Sequence, residues 1–196
     1  MPDPPSTATQ FTLHKDRITI PNIEILDAPG LAAGIDALAA ILHACVAGGA
    51  SVGFIPPFTL DDARNYWRKV ERSVTSDATK LIVARMDGEI VATVQLHLDV
   101  PANGRHRAEV AKLLVHPNAR RKGLARALMA AVETLAVQHQ RHLLVLDTRT
   151  GDNAESLYRN LGWKTAGVIS QYALSADGIL CDTTLMFKRL DGESAE

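Results

Sequence analysis

The sequence predicts a mixed α/β (α+β) domain, a mostly antiparallel sheet of seven strands with about four helices packed on it. Three observations carry that prediction. Short apolar or alternating runs bounded by turn residues are interspersed with longer runs of helical spacing. Their order along the chain is β-α-α-β-β-β-α-β-α-β-β, which implies a mixed sheet. The chain has 196 residues, of which 46% are hydrophobic and 22% charged, so it buries ~70% of its unfolded surface without help from metals or disulfides.

The elements follow in order. Residues 1–16 are rich in Pro, Ser and Thr and lack apolar periodicity, so they read as a mobile tail. Isoleucines within Arg17–Leu26 mark a first strand, and Asp27-Ala28-Pro29-Gly30 a turn. Leu31, Ile35, Leu38, Ala39 and Leu42 have helical spacing over 31–46. A flexible loop, Gly48-Gly49-Ala50-Ser51-Val52-Gly53-Phe54, ends it. Thr59 is an N-cap with Asp62 at the third helical position, starting a helix that reaches about Val74. Lys80–Met86 and Glu89–Val100 form a hairpin about Asp87-Gly88, and Ala108–Val115 is a fourth strand. A long helix covers about 123–140, and the apolar His142–Thr148 is a buried fifth strand. Asn153–Leu161 is a short helix stopped by Gly162, and Ala166–Leu174 and Ile179–Lys188 are the last two strands. One domain over 17–190, with a short polar tail at 191–196, is therefore expected.

Composition narrows the function. With 21 Lys and Arg against 22 Asp and Glu, the net charge of −1 gives no global field for nucleic acid or an anionic membrane. Cys45 and Cys181 form no CxxC pair, so no zinc ribbon or redox motif is expected. Met-Pro-Asp-Pro-Pro is not a signal peptide, and the apolar stretch Ala37–Ala50 is shorter than the ~20 residues a membrane span needs. A cytoplasmic protein is the expectation.

The chemistry is concentrated in Leu113-Leu114-Val115-His116-Pro117-Asn118-Ala119-Arg120-Arg121-Lys122-Gly123-Leu124-Ala125-Arg126. A strand stops at Pro117 and a turn with small residues opens a helix. The N–H groups from Arg121 to Arg126 are not yet paired within that helix and face a common spot, which suits a diphosphate. Gly123 and Ala125 keep that approach open, and Arg120, Arg121, Lys122 and Arg126 add charge. No Gly-Lys-Ser/Thr occurs, so this is no Walker A loop, and one glycine does not make a dinucleotide fingerprint.

Taken with the second half, Ala154-Glu155-Ser156-Leu157-Tyr158-Arg159-Asn160-Leu161-Gly162-Trp163, the segment resembles the GNAT superfamily of acyl-CoA-dependent N-acetyltransferases over about residues 17–190. Segments 48–54, Arg107-Ala108-Glu109-Val110 and Leu146-Asp147-Thr148 look like the tabtoxin-resistance acetyltransferases, small bacterial enzymes that acetylate the amino group of a β-lactam-type toxin. The resemblance implies a sheet splayed between strands four and five. There the backbone of Leu113, Leu114 and Val115 pairs with the pantetheine arm of acetyl-CoA, and that of Arg121, Lys122, Gly123, Leu124, Ala125 and Arg126 holds the pyrophosphate. Where the family often carries Asn, seven positions before the tyrosine, this chain has Gly151, leaving Asn153 as the side chain toward the pantetheine or the CoA exit path.

An alkylammonium of pKa near 10.4 is ~99.9% protonated at pH 7, so a base must free the acceptor amine. Glu109 and Asp147 are the candidates, acting alone or through water. Tyr158 is the candidate partner of the leaving thiolate. Neither cysteine lies in a nucleophile motif, which leaves direct transfer. The expected function is acetyl transfer to a primary amine of a small molecule, with amino-acid-like toxins or antibiotics among the candidate acceptors. A protein N-terminus or lysine is the alternative acceptor, favoured by a long open groove and opposed by a short cleft walled by residues 48–58 and the hairpin near Asp177. A non-catalytic acyl-CoA sensor is a further alternative. A monomer or homodimer with no nucleic-acid or membrane partner is expected. His139 and His142 lack further ligands, so no metal is expected. Trp67 and Trp163 read as core residues, and Arg105-His106-Arg107 as a solvated loop.

Overall fold

A computed structural model describes residues 21–191. The expected tails, 1–16 and all of 191–196 beyond Asp191, and residues 17–20 of the first strand lie outside the described residues. The elements are β1 (Asn22–Leu26), α1 (Ala28–Ala33), α2 (Ile35–Ala47), α3 (Leu60–Thr75), β2 (Thr79–Met86), β3 (Glu89–His97), β4 (Arg107–Val115), α4 (Leu124–Gln138), β5 (Leu143–Arg149), α5 (Asn153–Asn160), β6 (Lys164–Leu174) and β7 (Leu180–Arg189). The seven strands form one sheet in the order β1-β2-β3-β4-β5-β7-β6, antiparallel throughout except for β4 with β5.

The sheet separates two cores. On one face Leu124, Leu128, Met129 and Val132 of α4 and Tyr158 of α5 pack on Ile82, Val94, Val110 and Leu144. On the other, Leu31, Leu38, Leu42 and Trp67 of α1–α3 pack on Leu81, Val83 and Leu114. Each such fully buried side chain is worth about 1.5–3 kcal/mol. Trp67 is fully enclosed and Trp163 nearly so, as core residues should be. This double covering stops at β4. Beyond it, β6 and β7 leave one face bare, with Val168, Tyr172 and Leu174 about half exposed.

Three boundaries differ from the sequence reading. Five helices form rather than four, because the run over 31–46 is broken at Gly34, where a Cβ would lie 2.7 Å from Ile90 Cδ1. The expected turn at Asp27–Gly30 is instead the start of α1, since Asp27 accepts the Gly30 N–H at 2.8 Å and Pro29 fits a first turn. The third strand ends at His97 rather than Val100, and a 3₁₀ turn at Ala102–Gly104 leads to β4. The start of α3 is as expected: Thr59 and Asp62 form a complete capping box.

Candidate active site

The parallel pairing of β4 with β5 is brief. It joins only Arg107, Ala108 and Glu109 to Leu143, Leu144 and Val145. Past that point β4 stays with β3 as far as Val115, and β5 stays with β7 as far as Arg149. The facing edges, 110–115 and 146–149, share no ladder, so the sheet forks. Leu113, Leu114 and Val115 lie on the open edge of β4. The Leu114 side chain is buried in the core under α2, so its contribution to the fork is backbone.

A bulge shapes this edge. Gln95 opposes Ala111 but Thr93 opposes Leu114, so β4 carries one extra residue, and Lys112 within it has φ 52°. The bulge reverses the inside-outside alternation. Before it, Ala108 and Val110 point to the α4 core; after it, Leu114 points to the opposite core.

The chain then reaches α4 through a 3₁₀ turn at Pro117–Ala119. Arg121 and Gly123 have φ 64° and 78°, and a Cβ on Gly123 would meet nothing within 4 Å. None of the N–H groups from Arg121 to Arg126 has a backbone partner, and Ala127 is the first to bond back, to Gly123 O at 3.1 Å. These are the free donors of a helix N-terminus. Arg121, Lys122 and Arg126 are exposed beside them, and Ala125 is half-buried. Leu124 is a core residue that offers only its N–H. Arg120 turns back instead, its Nε donating to Val115 O at 3.4 Å.

Glu109 and Asp147 come together across the fork. Glu109 is in register with Val145, and Asp147 is two residues further on the same face. Both are exposed to water. Tyr158 rises from α5 at the other side of β5, buried, with its ring 5.9 Å from that of Trp163. Its hydroxyl makes no hydrogen bond with a described residue. Burial first, then the charges of Asp147 and Asp152, push its pKa well above the usual tyrosine value. Asn153 is exposed at the start of α5, where Asp152 caps the helix by accepting the Asn153 N–H at 2.6 Å. The turn with Gly151 is held from below, because Glu155 Oε2 accepts the Gly151 N–H at 2.7 Å.

The structure adds a polar row that the sequence reading did not single out. His97 is in register with Glu109. Gln95 Nε2 donates to Tyr66 Oη at 3.0 Å, which leaves Gln95 Oε1 to accept from His97 Nε2 at 2.9 Å. His97 Nδ1 is then a lone pair. Burial holds the His97 pKa below the usual value, with Glu109 opposing that effect and Lys112 adding to it. Burial likewise raises Tyr66 to about 12. Lys112 itself lies over the rings of Phe54 and Tyr66, 6.0 and 5.9 Å from their centroids. A signal for these residues was in the sequence: Gln95 and His97 alternate with Val94 and Leu96, and Lys112 interrupts an apolar run.

The loop after α2 and the β6–β7 hairpin enclose a cavity that Glu109, Asp147 and Tyr158 do not line. The loop through Ala50–Ile55 meets Ala173–Ala176 of the β6–β7 hairpin around a cavity of about 260 Å³. Arg149 Nη1 reaches Gly49 O at 3.5 Å, tying the end of β5 to the same loop. Cys45 is buried and donates to Val115 O at 3.6 Å. Burial raises its thiol pKa, more than Arg120 lowers it, so it is a poor nucleophile. Among the described residues no group of three or more His, Cys, Asp or Glu could hold a metal ion, and no helix is long and apolar enough to cross a membrane.

A sheet forked beside a helix N-terminus offers an unpaired strand edge and free N–H donors to a ligand that carries amides and phosphates. Residues 50–163, well over half of the chain, match the model of the Acetyltransferase (GNAT) family. The chain belongs to that family and is a GNAT N-acetyltransferase. Solved structures share the fold across nearly their whole length. The ribosomal-protein-alanine N-acetyltransferase of Brucella melitensis is 26% identical with a TM-score of 0.69, covering 86% of this chain and 99% of that one. The yncA protein of Salmonella typhimurium, solved with its cofactor acetyl-CoA, is 20% identical with a TM-score of 0.70, covering 89% and 96%. A candidate phosphinothricin N-acetyltransferase is 18% identical with a TM-score of 0.71, covering 87% and 99%.

Proposed function

We propose that this enzyme transfers an acetyl group directly to a primary amine of a small molecule, in the manner of the tabtoxin-resistance acetyltransferases that its sequence resembles. The loop through Ala50–Ile55 and the β6–β7 hairpin, which meet each other rather than leave a long open groove, carry the reading. The loop and the hairpin meet around about 260 Å³, a cleft for a compact molecule rather than a groove for an extended chain.

The fork fits acetyl-CoA. Its open β4 edge at Leu113–Val115, where only Val115 O is taken, by Arg120 and Cys45, offers backbone to an extended amide chain, and the free N–H groups at 121–126 offer donors to a diphosphate. Space beside Gly123 admits that approach. Arg121, Lys122 and Arg126 lend charge from the rim, and Asn153 borders the path from the start of α5. The bound donor supplies an acetyl thioester. Glu109 and Asp147 take the proton that the acceptor ammonium must lose, directly or through water. Tyr158 donates a hydrogen bond to the sulfur as negative charge gathers there. Giving up its proton is uphill, because a thiol has pKa near 8.5 and Tyr158 is held above the usual value near 10.

The resemblance in fold to ribosomal-protein-alanine acetyltransferases favours a second reading, a protein N-terminus as acceptor. An acetyl-CoA consumption assay over small amines, amino acids, antibiotics and peptides separates the two. Turnover confined to small amines is expected. Preferential turnover of peptide N-termini overturns the small-molecule reading, and binding without turnover supports a sensor.

A further inference from the structure

Lys112 is unusual among the cations around the fork. The bulge in β4 places it on the open edge, between the acids and the loop wall. Its ammonium lies over Phe54 and Tyr66, and a Cβ on Gly53 would lie 3.9 Å from Nζ. It makes no hydrogen bond or ion pair with any described residue. Arg149, on the same face of β5, is held by Asp152 Oδ2 at 3.2 Å and by Gly49 O. An ammonium with aromatic rings beneath it and no anion bonded to it retains its capacity for a ligand.

The charges then constrain the acceptor. An amine reaches Glu109 and Asp147 as a cation, and the positive charge of Lys112 lies beside both acids. A bare alkylamine is drawn by the two acids and meets repulsion from Lys112 alone. An acceptor that carries an anion beside its amine turns that repulsion into attraction, its ammonium toward the two acids and its anion toward Lys112. We infer that Lys112 binds an anionic substituent of the acceptor, so that the preferred acceptors are amino acids or close analogues bearing a carboxylate. This inference rests on the acetyltransferase reading above. Burial lowers the Lys112 pKa while Asp147 and Glu109 raise it back, which places both acids within its field.

The test compares proteinogenic amino acids with their decarboxylated amines, such as L-lysine with cadaverine, in wild type and in Lys112→Met, which keeps the stem and removes the charge. The wild type should favour the amino acid in kcat/KM. In Lys112→Met that ratio should fall about 10- to 100-fold, as expected for loss of one charge-assisted hydrogen bond, and Lys112→Arg should restore part of it. A ratio unchanged in Lys112→Met, or a wild type indifferent to the carboxylate, overturns the inference. Because each ratio is internal to one protein, partial misfolding of a variant does not mimic the result. Calorimetric binding of L-lysine and cadaverine to the wild type, without acetyl-CoA, reads the same preference independently of turnover, and equal affinities overturn it. Failure of acetyl-CoA to bind would instead strike the underlying acetyltransferase reading.

Discussion

The two sides of the fork are built from different materials. The donor side, from Leu113 through Arg126, presents mainly backbone: an unpaired strand edge and six N–H groups without backbone partners. The acceptor side presents side chains, Glu109, Asp147, Lys112 and the His97–Gln95–Tyr66 row, on a sheet face that no helix covers beyond β4. A backbone site is hard to alter by substitution unless the conformation itself is disturbed. A side-chain site changes with each residue. On the proposed function, the donor side suits a constant ligand such as acetyl-CoA, and substitutions on the acceptor side would change specificity.

The sharpest break of this contrast is the double variant Glu109→Gln with Asp147→Asn. It should lower kcat at pH 7 by about 10²–10⁴-fold and flatten the acidic limb of the rate–pH profile, with acetyl-CoA affinity nearly intact. Full turnover at pH 7 would remove both acids from the mechanism. Tyr158→Phe comes next, with kcat down about a hundredfold and acetyl-CoA affinity within about threefold, because a hydrogen bond to a developing anion acts only as charge forms. A wild-type kcat would return Tyr158 to packing alone.

On the donor side the effects should be smaller and should appear in binding. Gly123→Val places a β-branched residue at φ 78° and fills the open space beside it, so acetyl-CoA should bind about tenfold more weakly by calorimetry while the fold survives. Unchanged affinity in the folded variant would show that the turn does not hold the pyrophosphate. The smallest effect is expected for Arg121→Ala or Lys122→Ala. These exposed charges should each contribute a factor of about two to five in affinity, and that contribution should vanish in high salt. A large, salt-independent loss would shift the weight from backbone to side chains and blur the contrast between the two sides.

Much of the donor side was legible because its signals are consecutive. Pro117, Gly123 and Ala125 lie within one turn, and a helix start exposes its N–H groups whatever packs around it. Glu109, Asp147 and Tyr158 were singled out through their registers to the same motifs, and the structure places the two acids on one sheet face and Tyr158 in the core. Lys112 was not. A lysine in an apolar strand run reaches the open edge beside Phe54 and Tyr66 only where an extra residue shifts the register against β3, between Thr93 and Gln95.

The sequence by itself determined the seven strands, the turn before α4 and the Thr59–Asp62 cap, since periodicity and capping act between residues a few positions apart. Tertiary structure decided the rest. Gly34, at the break between α1 and α2, leaves no room for a Cβ against Ile90. β4 and β5 part after Glu109 and Val145 because each continues with its other neighbour. The loop through Ala50–Ile55 meets Ala173–Ala176, residues more than a hundred positions apart in the chain. These outcomes depend on contacts between residues far apart in the chain, whose register no local pattern encodes.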